Sequence, residues 1–178
     1  MLRVAVTGPE STGKSELASQ LAMHYQTLWV PEVARDYLDD LERSYIFEDI
    51  VKIAKAQYEL ENSLARQARK ILFCDTDLLV TKIWSTYKFG KCDPWIEEKV
   101  ISHRYDLYLL CNIDLPWVED PLREHPSQRE ELFGLYLEEL RRLNVTFAIV
   151  SGTGGARTAN AILAVEEALN KLAVGSRQ

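Results

Sequence analysis

The chain has 178 residues, 47% of them hydrophobic and 27% charged, with a net charge of −6. That is enough for one domain with a substantial core and too few for two comfortable ones. The negative balance disfavours a nonspecific nucleic-acid binder, whose phosphate contacts need a basic face, and no stretch approaches the length of a membrane span.

Leu2–Thr7 reads as a short buried strand; only Arg3 adds a positive charge there, so no signal peptide is expected. The next residues, Gly8-Pro9-Glu10-Ser11-Thr12-Gly13-Lys14-Ser15, match G-x-x-x-x-G-K-[ST] at every fixed position. Residues Glu16–Tyr25 then read as a helix. Strand, glycine loop and helix together make a phosphate cradle: the glycines let the backbone curl so that its N–H groups converge on an anion, and the helix start adds its positive dipole end. In such a loop Lys14 reaches the β- and γ-phosphates and the Ser15 hydroxyl ligates Mg²⁺. Chance would produce the four fixed positions in roughly one per cent or less of chains this size, and the strand-before, helix-after context argues further against a plain glycine turn.

Four more apolar runs follow. Leu28–Val30 ends at Pro31, Ile71–Cys74 at Asp75, Leu107–Cys111 at Asn112 and Val145–Val150 at Ser151. Near-continuous apolar runs are expected of parallel strands covered on both faces. Helical spacing separates them: Ile50, Ile53, Tyr58, Leu60 and Leu64 across 48–69; Leu132, Leu135, Tyr136, Leu140 and Leu143 after Ser127; and Ala161, Ile162, Val165, Ala168, Leu169 and Leu172 near the end. The alternation, with the phosphate loop after the first strand, predicts an α/β three-layer P-loop fold: a single domain over 1–178, with a five-stranded parallel sheet. Cys74, Cys92 and Cys111, odd in number and far apart, read as reduced thiols of a cytoplasmic protein. The scattered His24, His103 and His125 read as packing or surface residues.

Ligands of such sheets bind beyond the carboxyl ends of the strands. Strand two delivers Glu32, Arg35 and Asp36 there, and strand three delivers Asp75 and Asp77. Phosphoryl transfer to a hydroxyl needs a carboxylate for the magnesium shell, a carboxylate to orient or deprotonate the acceptor, and cations for the moving phosphoryl group. Asp75, ending an apolar strand, is the magnesium-shell candidate and Glu32 the acceptor base. Asp77 and Asp36 rival Glu32 or bind a sugar hydroxyl, and the planar fork of Arg35 suits a hydroxyl or phosphate. The alternative is that these acids merely cap the helices that follow. The polar connection 114–129 carries Asp120, Arg123, His125 and Arg129 and reads as a small lid that brings arginines onto the phosphates. Its alternative is a solvated loop whose arginines pair with Glu119, Glu124, Glu130 and Glu131. Among Trp29, Tyr37, Trp84, Tyr87, Trp95 and Trp117, rings could sandwich a planar base, although core packing is the commoner use.

The stretches G-P-E-S-T-G-K-S, V-P-E-V-A-R-D-Y, F-C-D-T-D-L-L-V-T-K-I-W, Y-K-F-G-K and W-V-E-D-P-L-R together resemble the ribosylnicotinamide kinase domain of NadR-type NAD-salvage proteins, from about Leu2 to about Ser151. The resemblance implies ATP- and Mg²⁺-dependent transfer of the γ-phosphate to the 5′-hydroxyl of nicotinamide riboside, giving nicotinamide mononucleotide. It implies ATP contacts from Gly8, Glu10, Ser11, Thr12, Gly13, Lys14, Ser15 and Arg129, and metal ligation by Ser15 and Asp75. It implies a catalytic set of Lys14, Glu32, Asp75 and Arg123, and a substrate-facing set of Glu32, Arg35, Asp77, Asp120, Trp84 and Tyr87. The nicotinamide is a cationic ring, for which aromatic faces are apt. Larger members of that family add an H-x-G-H nucleotidyltransferase domain and a DNA-binding domain. Neither is found in this sequence, so neither adenylylation of the product nor gene repression is expected.

Rival readings are a kinase of another nucleoside or nucleotide, and a P-loop ATPase or GTPase without a small acceptor. Against a GTPase, strand four ends Cys111-Asn112-Ile113-Asp114 without the lysine of N-K-x-D, and Asp75–Leu78 lacks the glycine of D-x-x-G. The expected partner is a small nucleoside, with no nucleic acid or membrane; a homo-oligomer is left open.

Overall fold

The computed structural model describes residues 1–175. Its elements are β1 (Leu2–Thr7), α1 (Lys14–His24), β2 (Leu28–Val30), α2 (Val33–Asp39), α3 (Phe47–Ala65), β3 (Ile71–Asp75), α4 (Leu78–Phe89), α5 (Pro94–Ser102), β4 (Leu107–Cys111), α6 (Arg129–Arg142), β5 (Phe147–Val150) and α7 (Gly154–Gly175). The five strands form one sheet in the order β2-β3-β1-β4-β5, every pairing parallel. From β1 the chain winds to one side through β2 and β3, then returns past β1 to β4 and β5. The crevice above β1 is thus the switch point where such sheets bind ligands.

Side chains alternate between two cores. One face of the sheet gives Ala5, Leu72, Cys74, Tyr108 and Leu110 to a cluster with α3, α4, α5 and α6. The other gives Val4, Val6, Phe73, Leu109 and Cys111 to a cluster with α1 and α7. The three layers and the parallel sheet are as the apolar runs predict. Among the described residues no helix is long and apolar enough to cross a membrane, and all three cysteines are free.

The differences from expectation are local. Gly13 takes φ +71° as the residue before α1, so that helix begins at Lys14. β5 starts at Phe147 because α6 unwinds through Asn144 at φ +51°, with Val145 N–H turned back toward the Leu140 carbonyl. The sequence reading gave no bounds for α2, α4 or α5, naming helices after the strand-end acids only as an alternative. α2 is only 7 residues long, while α4 and α5 are each opened by an aspartate cap, Asp77 on Val80 N–H and Asp93 on Trp95 N–H.

Candidate active site

The phosphate-type loop joins β1 to α1. Gly8 has φ +132°, and a Cβ there would lie 3.0 Å from the Cys111 carbonyl oxygen at the end of β4, so a side chain would push β1 and β4 apart. Ser11 also sits at positive φ. Inside the loop the Thr12 hydroxyl donates to Pro9 O at 2.8 Å and Lys14 Nζ donates to the same carbonyl at 2.9 Å. The amine is thereby held in the cradle, beside the amides an anion would meet.

Asp75 ends β3 in register with Val6 of β1. It is 2% exposed, and its Oδ1 has no hydrogen-bond partner. Burial raises its pKa to about 6, helped by the charge of Glu32 and opposed by the Ser15 hydroxyl, Lys14 and Arg35. An orphaned carboxylate oxygen beside the loop's Ser15 is a donor set suited to a hard cation such as Mg²⁺, which takes few protein ligands and shares phosphate oxygens. Among the described residues no cluster of three or more His, Cys, Asp or Glu side chains offers another metal site.

Glu32 follows β2 and occupies the N-cap position of α2, yet its side chain makes no capping bond. Instead Glu32 Oε1 accepts from the Thr76 hydroxyl at 3.2 Å. Thr76 itself has φ +70°. Asp77 does cap: its Oδ1 accepts from Val80 N–H and from the Thr7 hydroxyl, each at 3.1 Å. It is buried, Oδ2 is unpartnered, and burial lifts its pKa to about 6. Asp36 is exposed.

The phosphate loop and Glu32 border a cavity of about 610 Å³. The phosphate loop from Gly8 to Ser15 forms one end, and Glu32, Arg35 and Arg123 stand along it. Ala34, Leu38, Val80, Ile83, Trp84, Tyr87, Leu122, His125, Leu132 and Tyr136 make the other, apolar and aromatic end. At the rim Arg35 pairs with Asp120 at 3.0 Å. Asp75, Asp77, Asp120 and Arg129 are not on the cavity wall, and of the other aromatic candidates Trp29 is exposed on the edge strand β2, Tyr37 donates to Asp49 and Trp95 packs on Tyr58.

The arginines of the connection 114–129 bind backbone rather than its glutamates. Arg129 donates to Leu115 O at 2.9 Å and Ser11 O at 3.0 Å. Burial, then Arg123 and Arg157, lower its pKa. Such a crowd of cations beside the phosphate loop favours an anionic ligand. Arg123 donates to Val118 O at 2.6 Å and reaches Ser11 Oγ at 3.5 Å.

This is a nucleotide-type loop set over a metal-competent carboxylate at a sheet's switch point. A family of AAA domains (AAA_28) matches residues 3–157. The chain belongs to that family.

Its relatives among characterised proteins include the trifunctional NAD biosynthesis/regulator proteins NadR of Escherichia coli (strain K12) and Salmonella typhimurium. Each is 32% identical over 155 residues, 83% of this chain. This AAA domain spans only 37% of their length. In fold it resembles a NadR protein crystallised in complex with NR (TM-score 0.80, 22% identity, 93% of this chain and 50% of that one). It also resembles a NadR protein with NAD and AMP-PNP (TM-score 0.75, 23% identity, 93% and 49%). Thymidylate kinase of Ehrlichia chaffeensis shares the fold at TM-score 0.65 and 13% identity, over 93% and 97% of the two chains.

Sequence reasoning missed two organisers of this AAA domain's site. Gln57 of α3 accepts from Val33 N–H at 2.8 Å and donates to Pro31 O at 3.1 Å and, more weakly, to Asp75 O at 3.4 Å, tying the ends of β2 and β3 together. Arg157 of α7, 4% exposed, donates to Thr12 O at 2.8 Å, Asn112 O at 3.1 Å, Gly152 O at 3.0 Å and Asp114 Oδ1 at 2.7 Å. Both act across long sequence separations, where no local pattern marks them.

Proposed function

We propose that this chain is an ATP- and Mg²⁺-dependent nucleoside kinase that phosphorylates the 5′-hydroxyl of nicotinamide riboside, giving nicotinamide mononucleotide. The observation that carries the reading is a cavity lined both by the phosphate loop and by an aromatic cluster, with Glu32 on its wall. The relationship to NadR proteins, and the NR and AMP-PNP bound in their structures, favour this acceptor and this donor. The described residues act as one domain, with 114–129 as its lid, in the cytoplasm, where unbridged thiols persist.

In this reading the loop amides from Gly8 to Ser15 grip the phosphates. Lys14 leaves the Pro9 carbonyl to follow the β- and γ-oxygens, and Arg123 and Arg129 approach from the lid. Ser15 and Asp75 hold the Mg²⁺, which when bound neutralises charge on the β- and γ-phosphates. Glu32, oriented by Thr76, takes the proton of the acceptor hydroxyl. That oxygen bonds to the γ-phosphorus as the bond to the ADP oxygen breaks. Trp84 and Tyr87 offer faces to the cationic ring, while Arg35 and Asp120 stand at the sugar.

The test is transfer of radiolabelled γ-phosphate across a nucleoside panel, with ATP and GTP as donors and Lys14→Ala as control. Nicotinamide riboside should give the highest kcat/KM, and the Lys14→Ala protein should transfer nothing measurable. A different preferred nucleoside would move the acceptor assignment. Phosphate release that no hydroxyl acceptor accelerates would overturn the kinase reading.

A further inference from the structure

Glu10 lines the cavity with the rest of the phosphate loop, but its carboxylate is engaged by the segment 124–125. Its Oε2 accepts from the backbone N–H groups of both Glu124 and His125, each at 3.0 Å, and its Oε1 lies 3.3 Å from His125 Nδ1. From this anchored strap two contacts run to the aromatic end of the cavity. The Glu124 carboxylate accepts from the Tyr45 hydroxyl, which in turn accepts from Trp84 Nε1 at 3.0 Å. Lys88 Nζ reaches the other Glu124 oxygen at 2.6 Å. The His125 ring meets Tyr87 edge-on at 5.0 Å between centroids. Trp84, Tyr87 and His125 all line the cavity.

We propose that Glu10 is a positioning residue for the acceptor: through the strap amides it fixes the placement of Trp84 and Tyr87, so that the phosphate loop sets the fit of the acceptor's ring. This rests on the kinase reading above. A carboxylate so close to a triphosphate site would repel it; committed to two amides and a histidine, its charge is spent on the strap instead. Because Glu124 is exposed and His125 only half-buried, water can take over the freed amides when Glu10 is truncated. The variant protein should therefore fold while its aromatic wall loosens. The interactions lost are charge-assisted and remote from the transferred phosphoryl group, so they should appear in acceptor binding and discrimination rather than in the chemical step.

The experiment compares wild type, Glu10→Ala and Glu10→Gln in steady-state kinetics, with hydrogen exchange of the 124–125 amides as an independent arm. For Glu10→Ala we expect acceptor KM to rise about tenfold or more, ATP KM to change by less than about twofold, and the preference among nucleosides to narrow. Glu10→Gln keeps an accepting oxygen and should restore most of the acceptor KM. An unchanged acceptor KM in Glu10→Ala, or an equal rise for ATP, would overturn the proposal. The exchange arm needs no substrate: the amides should be protected in wild type and exchange faster in Glu10→Ala, and equal exchange overturns the proposal. If wild type phosphorylates no nucleoside at all, the kinase reading fails, and the exchange arm still decides whether Glu10 holds the strap.

Discussion

Replacing Arg157 by methionine should destabilise the protein well beyond an ordinary helix substitution. Methionine keeps an unbranched apolar stem in the buried channel but removes the guanidinium. The Thr12, Asn112 and Gly152 carbonyls and one Asp114 oxygen then lose a donor at 2.7–3.1 Å. Breaking a buried charged pair from one side costs about 3–5 kcal/mol. Asp114 is 30% exposed and keeps its bond from Gly152 N–H at 2.6 Å, so water rehydrates it. The cost therefore falls at the low end of that range, about 3 kcal/mol, most of it from stranded carbonyls. For a domain of this size that lowers Tm by roughly 6–12 °C. Thermal unfolding followed by circular dichroism measures it. A Tm within about 2 °C of wild type, less than one kcal/mol, would refute the reasoning.

Glu32→Gln should lower kcat by about 10²-fold or more, the usual worth of a general base, while ATP affinity by calorimetry stays near wild type; unchanged turnover removes the base role from Glu32. Gln57→Leu removes the partner of the half-buried Val33 N–H and of the exposed Pro31 carbonyl, so urea unfolding should show a loss of about 1 kcal/mol, together with a fall in kcat as β2 and β3 splay; unaltered stability would refute it. Asp49 is buried at the start of α3, and the Arg43 guanidinium, Ile46 N–H and the Tyr37 hydroxyl hold its carboxyl below the usual range. A depressed folded-state value contributes stability above the unfolded pKa of about 4 that is lost as pH falls through the folded value. Asp49→Asn should thus flatten the acid limb of the stability curve below about pH 4; an identical limb would contradict the assignment.

The parts of this protein legible from sequence are those with local signatures. β1, β2 and β4 lie where their apolar runs lie, because strands covered on both faces leave unbroken apolar stretches. The phosphate loop is legible because backbone curvature demands glycine at fixed spacing. Glu32 and Asp75 stand out in the sequence by their place after a strand. Which of the strand-end acids cap a helix was not legible: Glu32 accepts from Thr76 rather than capping α2, whereas Asp77 Oδ1 reaches Val80 N–H. The reach of Arg157 to Thr12 spans 145 positions and that of Glu10 to His125 spans 115. Contacts of that span are products of the finished topology and leave no periodic trace. α2, with 7 residues, is too short to show a helical period.

The left-handed turn at Thr76 settles what two neighbouring acids do. Along an uninterrupted strand, residues 75 and 77 would project from the same side, two carboxyl groups crowding one buried spot, each making the other harder to ionise. A β-branched residue at φ +70° is an uncomfortable place for a backbone, by about 1–3 kcal/mol. With that turn between them, the first acid lies beside Ser15 of the phosphate loop and the second caps α4. The discomfort of one peptide is what keeps a single ionisable oxygen pair, instead of a mutually repelling quartet, under the loop.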